Sequence, residues 1–276
     1  MKKAIDFRSI AIECLRGKWF QAVVVSFLAS LLGGTLISFT AGFSNSIKFE
    51  SDSFTSLEGV SNGNVEMAQV FISSLIILFL VAIVIAIFHM IIGGFVSLGN
   101  AKFQLSLVDQ KDVNIGDLFS QASRFKAGFA MKFWVGIKVL LWSLLLFIPG
   151  IIKGYSYSMT PYIMYEHPEL SASDAIKKSQ EMMDGNKWRL FCLHFSFIGW
   201  HLLISLIPML FATILIGGLF GFLSALLAFA SLVVLPVCGY ILNAYQEAAQ
   251  AAFYRDVCDT YKETKDMFTV EEEALL

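Results

Sequence analysis

The sequence predicts an all-α polytopic transmembrane helix bundle of about six spans, and three observations carry that prediction. Hydrophobic residues make up 57% of the 276 and charged residues 15%, with a mean hydropathy of +0.69. Soluble domains sit nearer roughly 45–50% apolar and about 25% charged. Three stretches, 19–40, 68–101 and 190–246, contain no Asp, Glu, Lys or Arg and are long enough to cross a bilayer. The basic residues, finally, fall on one side of the membrane in only one of the topologies the spans allow.

From the N-terminus, Lys2 and Lys3 are followed by Asp6, Arg8, Glu13 and Arg16, which interrupt any early apolar run. No small-residue cleavage site follows, so a retained first span over 19–40 is expected rather than a removable signal. Residues 41–67 carry one lysine, Lys48, against Glu50, Asp52, Glu58 and Glu66, and are rich in Ser, Asn and Gly. That composition reads as an extracellular loop with little capacity for a core. The second span, near 68–99, lies in a stretch longer than one crossing needs, so tilt, or extension past the interface before Lys102, is expected.

Residues 129–148 are apolar apart from Lys132 and Lys138 and meet Pro149-Gly150, where the sequence predicts a break. The stretch 151–165 is short and aromatic, suited to an interfacial segment or to a short return through the membrane. Spans near 190–215 and 219–246 follow, with the turn expected at Gly217-Gly218. A single membrane domain over 1–254 thus precedes an acidic tail, 255–276, whose order the sequence leaves open.

Charge decides between the alternatives for 151–165. If it crosses, sixteen Lys and Arg lie inside and only Lys48 and Lys153 outside. If it does not, nine fall on each side and the bias vanishes. Six spans with both termini cytoplasmic is the expectation.

Two segments repeat. Ala4, Asp6, Glu13 and Gly17 match Ala172, Asp174, Glu181 and Gly185 at a constant offset, and Lys18-Trp19 matches Lys187-Trp188 one residue later. In the second copy Ser171 and Asp174 approximate a capping box. Ala172, Ala175, Ile176, Ser179 and Met183 share a face, and Gly185 suits a C-cap. Asp117 to Lys126 carries a weaker version before span three. The reading is three units, each a cytoplasmic amphipathic helix before spans 1, 3 and 5. Trp19 and Trp188 would then sit at headgroup level. The alternative is that basic amphipathic segments simply precede spans in any protein with this charge bias.

The run Tyr155-Ser156-Tyr157-Ser158-Met159, Pro161-Tyr162, Ala175-Ile176-Lys177-Lys178-Ser179, Met183-Asp184-Gly185-Asn186-Lys187 and Phe195-Ser196-Phe197-Ile198-Gly199-Trp200 resembles the DUF975 family of bacterial integral membrane proteins. Leu15-Arg16-Gly17-Lys18-Trp19 and Ala252-Phe253-Tyr254 fit the same pattern. The resemblance implies a multi-pass bacterial plasma-membrane protein of unknown function. The chain also resembles, distantly, the membrane domains attached to some glycerophosphodiester phosphodiesterases. It has no phosphodiesterase domain, so no activity carries over.

Chemistry-bearing candidates are few. Ala22, Ser26, Ser30, Gly34, Ser38 and Gly42 recur every four residues, a smooth stripe suited to close helix packing rather than to a pore lining. Lys132 is placed to snorkel. Lys138, about 9 Å deeper at ~1.5 Å per residue, is a candidate for a polar cavity together with His194 and His201. Those two histidines are seven apart without a carboxylate, a poor metal site and a better interhelical bonding pair. His89, Asn243 and Glu247 are further polar positions, and Tyr155, Tyr157, Tyr162 and Tyr165 read as an interfacial belt.

Cys14, Cys192, Cys238 and Cys258 lack ligand or disulfide spacing and read as free thiols. A net charge of −2 argues against a nucleic-acid partner. No catalytic residue, cofactor or metal is expected. The partners expected are the bilayer itself, other membrane proteins or a homo-oligomer. The preferred function is a non-enzymatic organising, regulatory or envelope-sensing membrane protein. The alternative is a transporter or channel component for a small anionic, lipid-like or peptide solute.

Overall fold

A computed structural model of the chain describes residues 2–33, 65–216 and 221–275, which are mostly helical, with no strand among them. The helices are α1 (Ala4–Leu15), α2 (Trp19–Gly33), α3 (Val65–Val108), α4 (Phe125–Leu145), α5 (Phe147–Tyr157), α6 (Thr160–Glu166), α7 (Ala172–Met182), α8 (Lys187–Ile216) and α9 (Gly221–Leu275). Short 3-10 turns at Ile115–Leu118 and Ala122–Arg124 join α3 to α4. Among the described residues, Ile76–Val108 and Ile115–Leu145 are long and apolar enough to cross a membrane. A third candidate arises if α1 and α2, bent by 108° at their junction, form one broken span. The expected 41–67 loop, the Gly217-Gly218 turn, and Gly34, Ser38 and Gly42 of the small-residue stripe lie outside the described residues.

Two layers share these helices. In one, large apolar side chains point outward: Phe79 is 67% exposed, Leu144 83% and Phe195 60%. The other, the base, is closely packed around Phe7, Leu15, Phe103, Leu118, Ile163 and Phe253. Chain segments far apart in sequence meet there. Arg189 donates to the Lys2 carbonyl at 3.1 Å and to Asp256 at 2.7 Å. Arg124 donates to the Met164 carbonyl at 3.1 Å, and Tyr261 to Glu181 at 3.0 Å. After each of the pairs α2–α3, α4–α5 and α8–α9, the chain is therefore back at the base.

The repeat has a geometric counterpart. Gly17 and Gly185, the matched glycines, both take positive φ, +82° and +74°, ending α1 and α7. Glycine alone adopts this conformation without strain. Asp6 and Asp174 both occupy the third helical position, where Asp6 accepts from the Lys3 N–H at 2.7 Å and Asp174 from the Ser171 hydroxyl at 2.6 Å. Residues at matched positions are buried in both copies: Phe7 and Ala175, Ala11 and Ser179, Leu15 and Met183. The third copy keeps the cap, Asn114 N–H to Asp117 at 3.0 Å, and buries Leu118, but forms 3-10 turns in place of a helix.

Two expectations change. Pro149 does not break the helix. It sits in the first turn of α5, where its missing N–H costs nothing, and the break falls at extended Leu146 (φ −158°, ψ 137°). The stretch 151–165 is two helices, divided just before Pro161, which opens α6. The return limb α5 has 11 residues, or about 16 Å, roughly half of a ~30 Å hydrocarbon core. The helices α3 and α9 continue beyond the predicted spans, to Val108 and Leu275, and the tail, whose order the sequence leaves open, is helical.

Helices cross closely where glycine allows it. A Cβ built on Gly94 would stand 2.5 Å from the Gly128 carbonyl carbon, and one on Gly128 equally close to Gly94. At Gly99 a Cβ would collide with the Leu118 carbonyl. These contacts seat α3 on α4 and on the third capped turn.

Candidate functional site

The base holds the densest polar chemistry. α9 delivers Tyr254, Arg255 and Asp256 in sequence, and successive helical positions point them to different neighbours. Arg255 donates from Nε to Asp109 Oδ1 at 2.9 Å and from Nη2 to Asp109 Oδ2 at 2.7 Å. Its Nη1 donates to Glu166 Oε1, whose partner oxygen accepts from the Tyr254 hydroxyl at 2.6 Å. Burial and the adjacent Glu166 carboxylate push the Tyr254 phenol well above its ordinary range, so it remains a donor. Asp256 faces the other way, to Arg189 and, at 3.6 Å, to Lys2. Arg189 lies over the Phe7 and Phe253 rings at 5.8 and 5.5 Å. An open groove beside Arg255 is lined by Ser106, Lys111, Tyr165 and Pro168.

A second polar group joins the helices higher up. Gln104, 1% exposed on α3, donates to Glu247 Oε2 on α9 at 2.9 Å. Asn100 and Ser26 also lie beside that carboxylate, and Tyr162 of α6 is near enough to feel its charge.

One of the two histidines bonds helix to helix. His201 meets Gln246 at 3.1 Å, and His194 packs 5.7 Å from the Tyr155 ring with its buried Nε2 unpaired. His201 thus bonds from α8 across to α9. Lys138 is partly buried on α4, and among the described residues no hydrogen bond or ion pair joins it to either histidine. In the small-residue stripe Ala22 and Ser26 are 0% exposed but Ser30 is exposed, and it is Gly33 that meets Gly93 on α3. Tyr157 and Tyr162 are core residues rather than an interfacial belt, and Tyr162 stacks on Tyr254 at 5.0 Å.

The four cysteines are free thiols, and among the described residues no group of three His, Cys, Asp or Glu could hold a metal. Sequence reasoning missed Arg255, Asp109 and Glu166 entirely. They are far apart in the chain, and each alone looks like an ordinary surface charge.

Comparison with known families settles one point. The family described as "Protein of unknown function (DUF975)" matches residues 61–260. The chain belongs to the DUF975 family. No curated protein and no solved structure matches it. The distant likeness to phosphodiesterase membrane domains finds no support in these comparisons. The family assignment and the apolar helices together fit a membrane protein of unknown activity.

Proposed function

We propose that this DUF975 chain is a non-enzymatic membrane protein of the bacterial plasma membrane that organises or regulates partners from its cytoplasmic face. In this reading the base and both termini are cytoplasmic, and α1, α7 and the capped turn at 115–118 begin three units. Each unit enters the membrane and returns, giving six traverses, the α5 limb being shallow. The return of the chain to the base after each helix pair supports this, as does the bias of Lys and Arg toward the base segments.

One observation carries the functional part. The charged residues of α9 at the base are engaged in bracing other helices, Arg255 to Asp109 and Glu166, and Asp256 to Arg189. The same helix then continues to Leu275, presenting exposed Asp259, Thr260, Lys262 and Glu263. A firmly braced helix leaving the membrane layer suits a docking stalk better than a reaction site. Photocrosslinking from Lys262 and Glu263 in living cells tests this. Discrete adducts with another protein are expected; the absence of any adduct, with a new lipid product formed by the pure protein, would contradict it.

A second reading, a transport component, is favoured by Glu247, a carboxylate bonded to a buried glutamine between helices. Solute flux in proteoliposomes that vanished on Glu247→Gln or Lys138→Ala would establish it in place of the first.

A further inference from the structure

We infer that Glu247 and the oxygens around it form a binding site for one monovalent alkali cation, of which Na+ is the first to test. The inference stands apart from the organising role. Its starting point is charge. Among the described residues no Lys, Arg or His forms an ion pair with Glu247; the ion pairs found there involve other carboxylates. Glu247 is half-buried, and a carboxylate partly removed from water calls for a compensating charge or a proton.

The neighbouring oxygens distinguish the two. Ser97, Asn100 and Gln104 follow one another at intervals of three and four residues, on one face of α3. Gln104 Nε2 bridges Glu247 Oε2 at 2.9 Å and Asn100 Oδ1 at 3.4 Å. Its own Oε1 is buried and accepts no hydrogen bond, and the same holds for the Ser26 and Ser97 hydroxyl oxygens. Ser26, 0% exposed, stands beside the carboxylate from α2 without a hydrogen bond of good geometry. A proton on Glu247 would supply a single donor to this group. A cation would draw on the carboxylate, the amide oxygens and the Ser26 hydroxyl together.

The donor set also fixes the class of ion. All the donors are oxygens, which excludes the softer transition metals. One carboxylate balances one positive charge. Ca2+ and Mg2+ sites recruit more acidic ligands, and no cluster of three acidic, His or Cys residues occurs among the described residues. The donors come from α2, α3 and α9, so an ion held there would tie together the first and last helix pairs.

The test is binding of radioactive sodium to the purified full-length chain in detergent at alkaline pH, with choline as the inert control salt. The expected result is saturable binding of one ion per chain, displaced by unlabelled Na+ or Li+. Glu247→Gln should weaken it by about tenfold or more, and Ser26→Ala by a smaller factor. Elution as a monodisperse species in choline shows that each variant is folded, and Ser26→Ala serves if Glu247→Gln is not. Absence of saturable binding by the wild-type chain would overturn the inference. So would unchanged binding in the variants, or a thermal midpoint that follows pH while ignoring sodium.

Discussion

The outer half of α3 and its inner half are the same helix in two different solvents. From Ile76 to Phe88 nearly all its large side chains are exposed, Ile77 by 61% and Phe88 by 62%. From Leu98 to Leu107 they are buried to 1% or less. α9 shows the same change, from exposed Val237 and Ile241 to the buried run Ala244, Ala248, Ala251 and Ala252. The halves differ in side-chain size and in polarity. The base portions mix alanine, glycine and amides with bulk, and small residues let helices approach. The outer portions carry uniform Leu, Ile and Phe, which lipid solvates as well as protein would.

That contrast can be broken most sharply at a crossing. Gly99→Ala drives a methyl into the Leu118 backbone, and a loss of about 3 kcal/mol is expected. Gly136→Ala on α4 meets nothing within 4 Å and should leave the thermal midpoint unchanged or slightly raised. Equal effects in thermal unfolding of the two purified variants would mean that the base is not packed as described.

The next effect belongs to the charged brace. Arg255→Ala leaves Glu166 without its cation and Asp109 with only the more exposed Lys111, 3.0 Å away, and a loss of about 2 kcal/mol is expected. The figure is below that for a fully buried pair because the Arg255 side chain is 27% exposed. A double-mutant cycle with Asp109→Asn should return a coupling well above zero, whereas additive effects would remove the brace.

Smaller still is the cap of the second repeat unit. Ser171→Ala removes the hydroxyl that accepts from the Asp174 N–H and should cost about 1 kcal/mol. At the far end of the scale, Leu144→Ala changes a side chain 83% exposed. A shift within about 0.5 kcal/mol is expected for it in detergent. A large loss at Leu144 would mean that this surface packs against another protein, such as a second copy of the chain.

Periodicity and charge made the helical class, the membrane character and the second cap legible in advance. The buried face of α7 was legible for the same reason, since an amphipathic pattern names its own inside. Gly17 and Gly185 were visible as a matched pair, although their positive φ needed coordinates. The break at Leu146 was not legible, because a proline marks a helix boundary only to within a turn and is welcome just inside a start. The Arg255 brace and the Gln104–Glu247 bond were hidden for another reason. They join residues 146 and 143 positions apart, and long-range pairing leaves no local signature.

The central claim is that the base, with α7 and the inner part of α9, lies on the cytoplasmic face. Single cysteines at Ser173 and Thr260, both exposed, would be labelled from outside intact cells in a background lacking Cys14, Cys192, Cys238 and Cys258, with Ser53 as the external control. Protection of Ser173 and Thr260 with labelling of Ser53 is the predicted result. Labelling of both Ser173 and Thr260 would contradict it, placing the base outside the cell.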